Sequence, residues 1–305
     1  MSVVQQRLLV GGQAVIEGVM MRSPRWTSTA VRRPDGEIVA FTQRLNSLLV
    51  RYPWLRLPII RGAIALYEAV VVGIGALFLS ANVSLGEKEQ LTPRQVGFSV
   101  VTGLGLAIGL FFILPTVLVR LLDPYLASVY TLNLAEGAVR VSVLVGYIGL
   151  IGRLPDVGRV FAYHGAEHKA VNAYEARAPL QVAAVRTFSR FHPRCGTSFI
   201  LIVMIVAIVV FSFLGRPPPL LRILSRVALI PLVAGVSYEI IRAGARYRVF
   251  RPLVIPGFWL QRLTTREPDD SQLDVAIRAL REVGDCELEE PLVDRRSSSD
   301  GRYQV

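Results

Sequence analysis

The hydrophobic residues of this chain gather in long, nearly unbroken runs. Four of these runs, at residues 62–83, 97–119, 197–215 and 221–241, have the roughly 20 residues that a helix needs to cross the apolar core of a bilayer. A fifth run, residues 141–152, contains only twelve residues and is bracketed by two arginines. The pattern therefore predicts a mainly α, polytopic helical membrane protein with about four crossing helices.

The basic residues between the runs indicate which side of the membrane each loop occupies. Cytoplasmic loops of membrane proteins carry an excess of lysine and arginine. Nine basic residues lie from Arg7 to Arg61, seven from Arg153 to Arg194 and eleven from Arg242 to Arg302, whereas the links at 84–96 and 216–220 hold two and one. Four crossings place all three basic regions in the cytoplasm, so we predict the fifth run to be a re-entrant or interfacial helix. The alternative is a fifth crossing paired with an unrecognised sixth.

The N-terminal region, residues 1–55, has no long apolar run. Two β-type stretches flank Pro34-Asp35-Gly36, a turn sequence in which proline fixes φ and glycine accepts a positive φ. They predict a small cytoplasmic β element ahead of a membrane domain at residues 56–252. The region also lacks the apolar stretch and cleavage site of a signal peptide, so the N-terminus is expected to remain in the cytoplasm.

The C-terminal region, residues 253–305, is predicted to be cytoplasmic as well. An amphipathic pattern with acidic residues at its start, Asp269 and Asp270, predicts a short helix whose first turn suits the helix dipole. From Gly284 onward the chain has few residues to bury, so this tail is predicted to be disordered.

Composition agrees with a membrane protein that is rich in arginine. Hydrophobic residues make up 52% of the chain and the formal net charge is +11. The basic residues show no aromatic interleaving and no recognised binding module, so we expect the lipid bilayer as a partner and no nucleic acid. The two cysteines, Cys195 and Cys286, lie far apart in dissimilar surroundings, which favours a reducing compartment over a disulfide framework.

The sequence YHGAEHKAVNAYE contains two of the three histidines of the chain. Good helix formers surround it, so we predict a cytoplasmic histidine helix at residues 159–176. On such a helix His164 and His168 lie one turn apart on one face, with Glu167 beside them. His-x-x-Glu-His is the reverse of His-Glu-x-x-His, and in both zinc-hydrolase arrangements the glutamate activates a water. The alternative is a solvated helix face on which two histidines fall by chance.

The third histidine lies downstream, in a pair with metal-ligand spacing. His192 and Cys195 form a His-x-x-Cys pair just before the third apolar run. If both join His164 and His168, the four ligands form the closed shell of a structural zinc. If only three residues bind the metal, one position stays open and Glu167 becomes a general base. Cys195 as a small buried residue at a helix start is the alternative.

Other polar residues are additional candidates for this site. Asn172 and Glu175 continue the polar face of the histidine helix, but Glu175 lies roughly 10 Å beyond His168 along the axis, which suits an orienting role. Glu17 belongs to a glycine-flanked segment that we expect to pack against the histidine helix and to contribute its carboxylate to the site.

Two acidic residues fall inside predicted crossing helices, where a carboxylate usually has a partner. Glu239 is a candidate metal ligand, and pairing with Arg242 is its structural alternative. For Glu68, an internal ion pair with Arg61 is favoured over a catalytic role.

Four separated motifs follow one another along residues 8–283. They are GGQAVIEGVMMRSP (11–24), YHGAEHKAVNAYE (163–175), HPRCGTSF (192–199) and GVSYEIIR (235–242). Together they resemble the YqhQ-like family of bacterial membrane proteins, a family of unknown function that is described as predicted metal-dependent enzymes. The resemblance implies a multi-pass protein of the bacterial cytoplasmic (inner) membrane with a metal site at His164, His168, His192 and Cys195 and with Glu167 as base.

These observations leave three functional hypotheses. The first is a membrane-bound zinc-dependent hydrolase with its site near the cytoplasmic face and with both termini in the cytoplasm. The second is a non-enzymatic membrane scaffold or assembly factor that contains a structural zinc. A transporter ranks last, because few polar residues lie along the predicted crossings.

Overall fold

A computed structural model describes most of the chain. The described residues are 10–86, 90–121, 125, 128–215, 218–247, 249, 252 and 255–289. The strands are β1 (Gly11–Val15), β2 (Gly18–Arg22), β3 (Trp26–Arg32) and β4 (Ile38–Arg44). The helices are α1 (Leu48–Arg51), a 3₁₀ turn (Pro53–Arg56), α2 (Ile60–Leu85), α3 (Pro93–Ile108), a π-helical turn (Gly109–Ile113), α4 (Leu114–Arg120), α5 (Val129–Ile151), α6 (Pro155–Glu175), α7 (Val182–Val185), α8 (Gly196–Ser212), α9 (Pro219–Ala228), α10 (Ile230–Arg246), α11 (Ile255–Thr264) and α12 (Asp270–Glu289).

The N-terminal strands form a small antiparallel sheet in the order β1-β2-β3-β4. The turn between β3 and β4 is the predicted one, since Gly36 has φ 90° and Asp35 Oδ1 accepts a hydrogen bond from the Glu37 N–H at 3.0 Å. A second hairpin turn joins β1 to β2 at Ile16 and Glu17. The prediction of a small β element is confirmed, and the sheet includes the glycine-rich motif as its first hairpin.

The sheet packs against α6 and α12 in a shared hydrophobic core. This core contains Val19, Met21, Ala30, Tyr163, Ala166, Ala170, Leu273, Ala276 and Leu280. Asp269 caps α12, because its Oδ1 accepts the Gln272 N–H at 2.8 Å while Gln272 Oε1 accepts the Asp269 N–H at 3.1 Å. Segments from the N-terminal, middle and C-terminal regions of the sequence therefore form one core.

The helix predicted from Asp269 continues further than expected. α12 ends at Glu289, so the first residues of the tail predicted to be disordered, 284–289, are helical. The reason is a contact with the sheet, because Glu287 accepts hydrogen bonds from Ser23 Oγ and Arg25 Nε, both at 2.6 Å. The rest of that tail, residues 290–305, lies outside the described residues.

Within the part of the chain that the structure describes, three helical stretches are long and apolar enough to cross a membrane. They are α2, the α3–α4 stretch and Tyr130–Ile151 within α5. The predicted runs at 62–83 and 97–119 coincide with the first two. The run at 197–215 forms α8, a shorter apolar helix of 17 residues, and the run at 221–241 is divided between α9 and α10. The prediction of a mainly helical protein with several apolar helices is confirmed.

The fifth apolar run, residues 141–152, is not a short separate helix. It is the second half of α5, which has 23 residues, so the predicted length of a re-entrant or interfacial helix at 141–152 was wrong. Glu136 and Arg140 interrupt the apolar pattern of α5 and made the helix look too short. The structure pairs them at 2.9 Å and adds Arg226 from α9, whose Nη2 donates to Glu136 Oε2 at 2.9 Å.

Candidate metal centre

Helix α6 presents the two histidines of the His-x-x-Glu-His motif side by side. Pro155 starts the helix at a position where its missing N–H is harmless, and residues 156–175 contain no further proline. The rings of His164 and His168 lie one turn apart with their centroids 4.4 Å from each other. The residues of the predicted histidine helix, 159–176, thus lie on α6 and its C-cap residue, Ala176.

Backbone carbonyls fix the orientation of both rings. His164 Nδ1 lies 2.8 Å from the Thr264 carbonyl oxygen, and His168 Nδ1 lies 2.6 Å from the Arg190 carbonyl oxygen. A ring nitrogen facing a carbonyl donates its proton, so Nε2 of each ring keeps a free lone pair. His168 Nε2 is buried and has no hydrogen-bond partner among the residues that the structure describes. This is the orientation in which protein histidines bind a metal ion.

Cys195 supplies a third ligand atom to the same point. It is the N-cap residue of α8, and its Sγ lies 3.2 Å from His164 Nε2. The ligand atoms of His164, His168 and Cys195 all lie within 4.8 Å of one another. Zinc bonds nitrogen and sulfur at about 2.0–2.3 Å, which separates ligands of a tetrahedral site by roughly 3–4 Å. The donor set and its spacing therefore fit a zinc ion.

Glu167 lies beside these ligands and is only 5% exposed. Its Oε2 is 3.5 Å from His168 Nε2. Burial raises the pKa of Glu167 to about 7, and a hydrogen bond from the Gly12 backbone opposes this rise. The histidine helix and strand β1 thus enclose a carboxyl group next to the candidate metal ligands.

The structure places His192 beside the cluster rather than within it. Its Nδ1 accepts the Arg194 N–H at 3.3 Å, and its Nε2 faces Glu175 Oε2 at 3.5 Å. Its ring therefore has the opposite tautomer to the other two histidines, with no lone pair free for a metal. Burial lowers the pKa of His192 to about 4, so the ring is neutral at pH 7. The structure brings three of the four predicted ligands together.

Asn172 and Glu175 hold the segment that leads to Cys195. Asn172 Nδ2 donates to the carbonyl oxygens of Ser189 and Phe191 at 2.8 and 3.1 Å. Glu175 forms an ion pair with Arg194. Both side chains therefore have the orienting position that the sequence suggested for Glu175.

Two other candidate residues lie elsewhere. Glu17 accepts from Arg159 Nε at 2.7 Å and from the Tyr163 hydroxyl at 3.2 Å, and the Arg159 hydrogen bond lowers the pKa of Glu17. Its segment packs on the histidine helix as expected, but its carboxylate is held by Arg159. Glu239 accepts from Arg61 Nε at 2.6 Å, so Arg61, far away in sequence, is its partner.

Helix α11 contributes residues that the sequence did not suggest. Gln261 is fully buried, and its side chain accepts the His192 N–H at 2.9 Å and donates to the His192 carbonyl at 2.9 Å. Thr264 supplies the carbonyl that orients His164. The available signal was the spacing of Gln261 and Thr264, polar residues three apart and therefore on the same side of α11.

The candidate ligands line a small cavity of about 40 Å³. Its wall consists of Val10, Gly11, Gly12, His164, Glu167, His168, Val171, His192, Arg194, Cys195 and Gly196. A water molecule needs about 10–15 Å³ measured in this way, so the cavity has room for an ion and a water. It is too small for an organic substrate in this conformation.

Gly12 explains why the first motif contains adjacent glycines. A Cβ at this position would lie 2.5 Å from the Met20 carbonyl oxygen and 3.0 Å from Glu167 Cγ. A Cβ at Gly11 would meet nothing within 4 Å. Glycine at position 12 therefore allows β1 to approach α6 at the candidate metal centre.

We expect Gly12→Ala to destabilise the protein by about 1–3 kcal/mol, because the added methyl group collides with the Met20 carbonyl of β2 and with Glu167 of α6. The measurement is thermal unfolding of the detergent-purified protein. Gly11→Ala is the matched control and should unfold like the native chain. Equal unfolding temperatures for the two variants would show that β1 does not pack as closely on α6 as described.

Comparison with known proteins gives a family and one curated relative. The family described as "Protein of unknown function (DUF1385)" matches residues 57–285. "Uncharacterized protein YqhQ" of Bacillus subtilis (strain 168) is 38% identical over 296 residues, which cover 90% of this chain and 91% of that protein. No solved structure gives a significant match. The chain therefore belongs to the DUF1385 family, and its resemblance to the YqhQ-like proteins is confirmed.

Proposed function

We propose that this protein is a membrane-bound zinc-dependent hydrolase. The observation that carries the proposal is the shared orientation of His164 and His168, whose Nδ1 atoms donate to carbonyls and whose Nε2 atoms converge near Cys195. Two imidazoles and a thiolate are ligands that zinc prefers, and three protein ligands are typical of catalytic sites. A bound zinc ion would supply a Lewis acid at this position.

The residues around the ligands have separate roles in this proposal. Glu167 is placed to accept a proton from a water molecule in the cavity and to return it to a leaving group. Thr264 and Arg190 orient the two imidazoles through their carbonyl oxygens. Gln261 holds the backbone of His192, which closes one side of the cavity.

The apolar helices support a position at a membrane face. Helix α8 begins at Gly196, directly after the ligand Cys195, and α5 ends four residues before α6 begins. The basic residues of the flanking regions favour the cytoplasmic face of the bacterial inner membrane. The bilayer is thus the partner that this architecture requires, and the substrate would reach the site from that face.

A structural zinc in a membrane scaffold or assembly protein is the second candidate. The enclosed cavity favours it, since His168 is 1% exposed and a substrate would need a conformational change to enter. In this case the metal would hold α6, α8 and α11 together, and Glu167 would be a neighbour without a catalytic role.

The variant Glu167→Gln separates the two candidates. For a hydrolase, we expect it to retain zinc and the native unfolding temperature while hydrolysis of a peptide and ester panel falls by about 10²–10⁴-fold. The control Cys195→Ser should lose zinc in either case. Zinc-loaded native protein that cleaves no member of the panel, together with a silent Glu167→Gln, would favour the structural role.

A further inference from the structure

Helix α2 satisfies the criteria for a membrane crossing, but its second half packs on the sheet. Gln13 Nε2 donates to the Gly73 carbonyl at 3.0 Å, and the Ile16 N–H donates to Ser80 Oγ at 3.1 Å. Ala76 lies between these contacts in a small core with Val15 and Met20. Residues 73–80 are therefore beside the sheet along their length.

The sheet lies on the same side of the apolar helices as the candidate metal centre. Strand β1 contacts Glu167 through Gly12, and the β1–β2 turn binds Arg159 of α6 through Glu17. Helix α5 enters this side at Ile151, because only three residues separate it from α6. We call this side the site side.

The α3–α4 stretch runs antiparallel to α5. Phe111 contacts Tyr147 edge-on, with centroids 5.7 Å apart, and its carbonyl accepts from Arg140 Nε at 2.9 Å. Further along, Thr116 Oγ1 donates to Glu136 Oε1 at 3.1 Å. Later residues of α4 thus meet earlier residues of α5, which places the start of α3 on the site side with Ile151. Helix α2, joined to α3 by residues 86–92, therefore ends on the site side.

The chain also enters α2 from the site side. After β4, Ser47 Oγ donates to Glu68 at 2.9 Å, the Leu48 N–H donates to the same carboxylate at 2.6 Å, and Arg22 binds it at 2.8 Å. Glu68 is thus held by the sheet and the segment after it, and Arg61 is not its partner. Residues 48–67 therefore form a loop whose two ends both lie next to Glu68.

The far end of this loop contacts helix α10. Ile59 has φ 69°, where the chain reverses, and its carbonyl oxygen would lie 2.4 Å from a Cβ at Gly235 in α10. A Cβ at Gly62 would in turn lie 2.7 Å from Tyr238 Cβ. The loop at residues 48–67 and α10 are therefore in close contact at Gly62 and Gly235.

We propose that residues 48–67 form a re-entrant hairpin that is embedded in the site-side leaflet, and that α2 returns to that side without crossing the membrane. The exposed surface of the hairpin has the composition of a bilayer interface, since Trp54 is 65% exposed and lies between Arg51 and Arg56. Tryptophan occupies the headgroup level, and arginine pairs with lipid phosphate. The partner of this surface is phospholipid.

The charge distribution agrees with this topology. The crossing segments are then α3–α4, α5, α8 and the α9–α10 pair, so the links on the opposite side are residues 121–128 and 213–218. These links contain no basic residue and one basic residue, respectively. In this topology the link at 84–96, which holds two basic residues, lies on the site side together with the three basic regions.

Cysteine labelling of the full chain tests the topology. All variants carry Cys286→Ser, and the Cys286→Ser protein alone measures the background labelling of buried Cys195. Three single variants, Asp35→Cys, Leu85→Cys and Tyr125→Cys, are treated with a membrane-impermeant maleimide on sealed vesicles of known orientation. Leu85 is 43% and Tyr125 is 83% exposed, so neither position is covered by the protein itself. We expect Leu85→Cys to label from the same side as Asp35→Cys, and Tyr125→Cys from the opposite side. Any other pattern overturns the proposal.

The lipid partner is tested separately through Trp54. In a Trp26→Phe, Trp259→Phe background, we expect the fluorescence of Trp54 to be quenched in vesicles of brominated phosphatidylglycerol. Unchanged fluorescence would exclude lipid at this surface. Oxidative cross-linking of Trp54→Cys into dimers would assign the surface to a second copy of the chain and would also overturn the lipid partner.

Discussion

Protein purified without chelators is expected to contain about one zinc ion per chain, and His168→Ala is expected to contain almost none. Among the described residues, His168 Nε2 is buried without a hydrogen-bond partner, so the substitution deletes a candidate ligand, and it also removes the Nδ1 contact with the Arg190 carbonyl. Binding of a metal to the folded state adds to folding stability, so the variant should also unfold at a lower temperature. Elemental analysis and thermal unfolding in detergent measure the two effects.

His192→Asn is the matched control for the loss of zinc. His192 lines the same cavity, but its Nδ1 accepts the Arg194 N–H and its Nε2 faces Glu175. We therefore expect this variant to retain the metal. Loss of zinc from His192→Asn would make it a fourth ligand, and equal zinc in native protein and His168→Ala would contradict the site.

Helical spacing was enough to place His164 and His168 on one face, because that relation depends only on local backbone geometry. It did not determine which ring nitrogen is free. The carbonyls that settle this point belong to Thr264 and Arg190, 100 and 22 residues away in sequence. His192 was predicted as a ligand from its spacing to Cys195 and from the family resemblance, but its contacts with Arg194 and Glu175 give it the opposite tautomer.

Sequence spacing also did not identify the ion-pair partners in the apolar helices. For Glu239, pairing with Arg242 on the same helix was the structural alternative to metal binding, but the structure pairs Glu239 with Arg61, 178 residues away. The length of α5 was underestimated for the same reason. A hydropathy window counts Glu136 and Arg140 as separate charges, whereas the fold brings them together and adds Arg226 from α9.

The largest loss of stability is expected for Glu136→Gln, which removes the only carboxylate that the described residues supply to this cluster. Glu136 forms ion pairs with both Arg140 and Arg226, and all three side chains are buried. Removing one partner of a buried ion pair typically costs about 3–5 kcal/mol, because the remaining charge has no compensation. We expect detergent-purified Glu136→Gln to unfold at a much lower temperature and to yield less folded protein.

Two comparisons show whether this loss comes from the buried charges. Glu37→Gln disrupts an exposed pair with Arg33 and should change stability by less than about 1 kcal/mol. Replacing Glu136, Arg140 and Arg226 together with Leu or Met should recover much of the stability lost in Glu136→Gln, because no buried charge then remains unpaired. A Glu136→Gln variant as stable as the native chain would mean that solvent or lipid phosphate reaches these arginines, and that α5 and α9 do not enclose them.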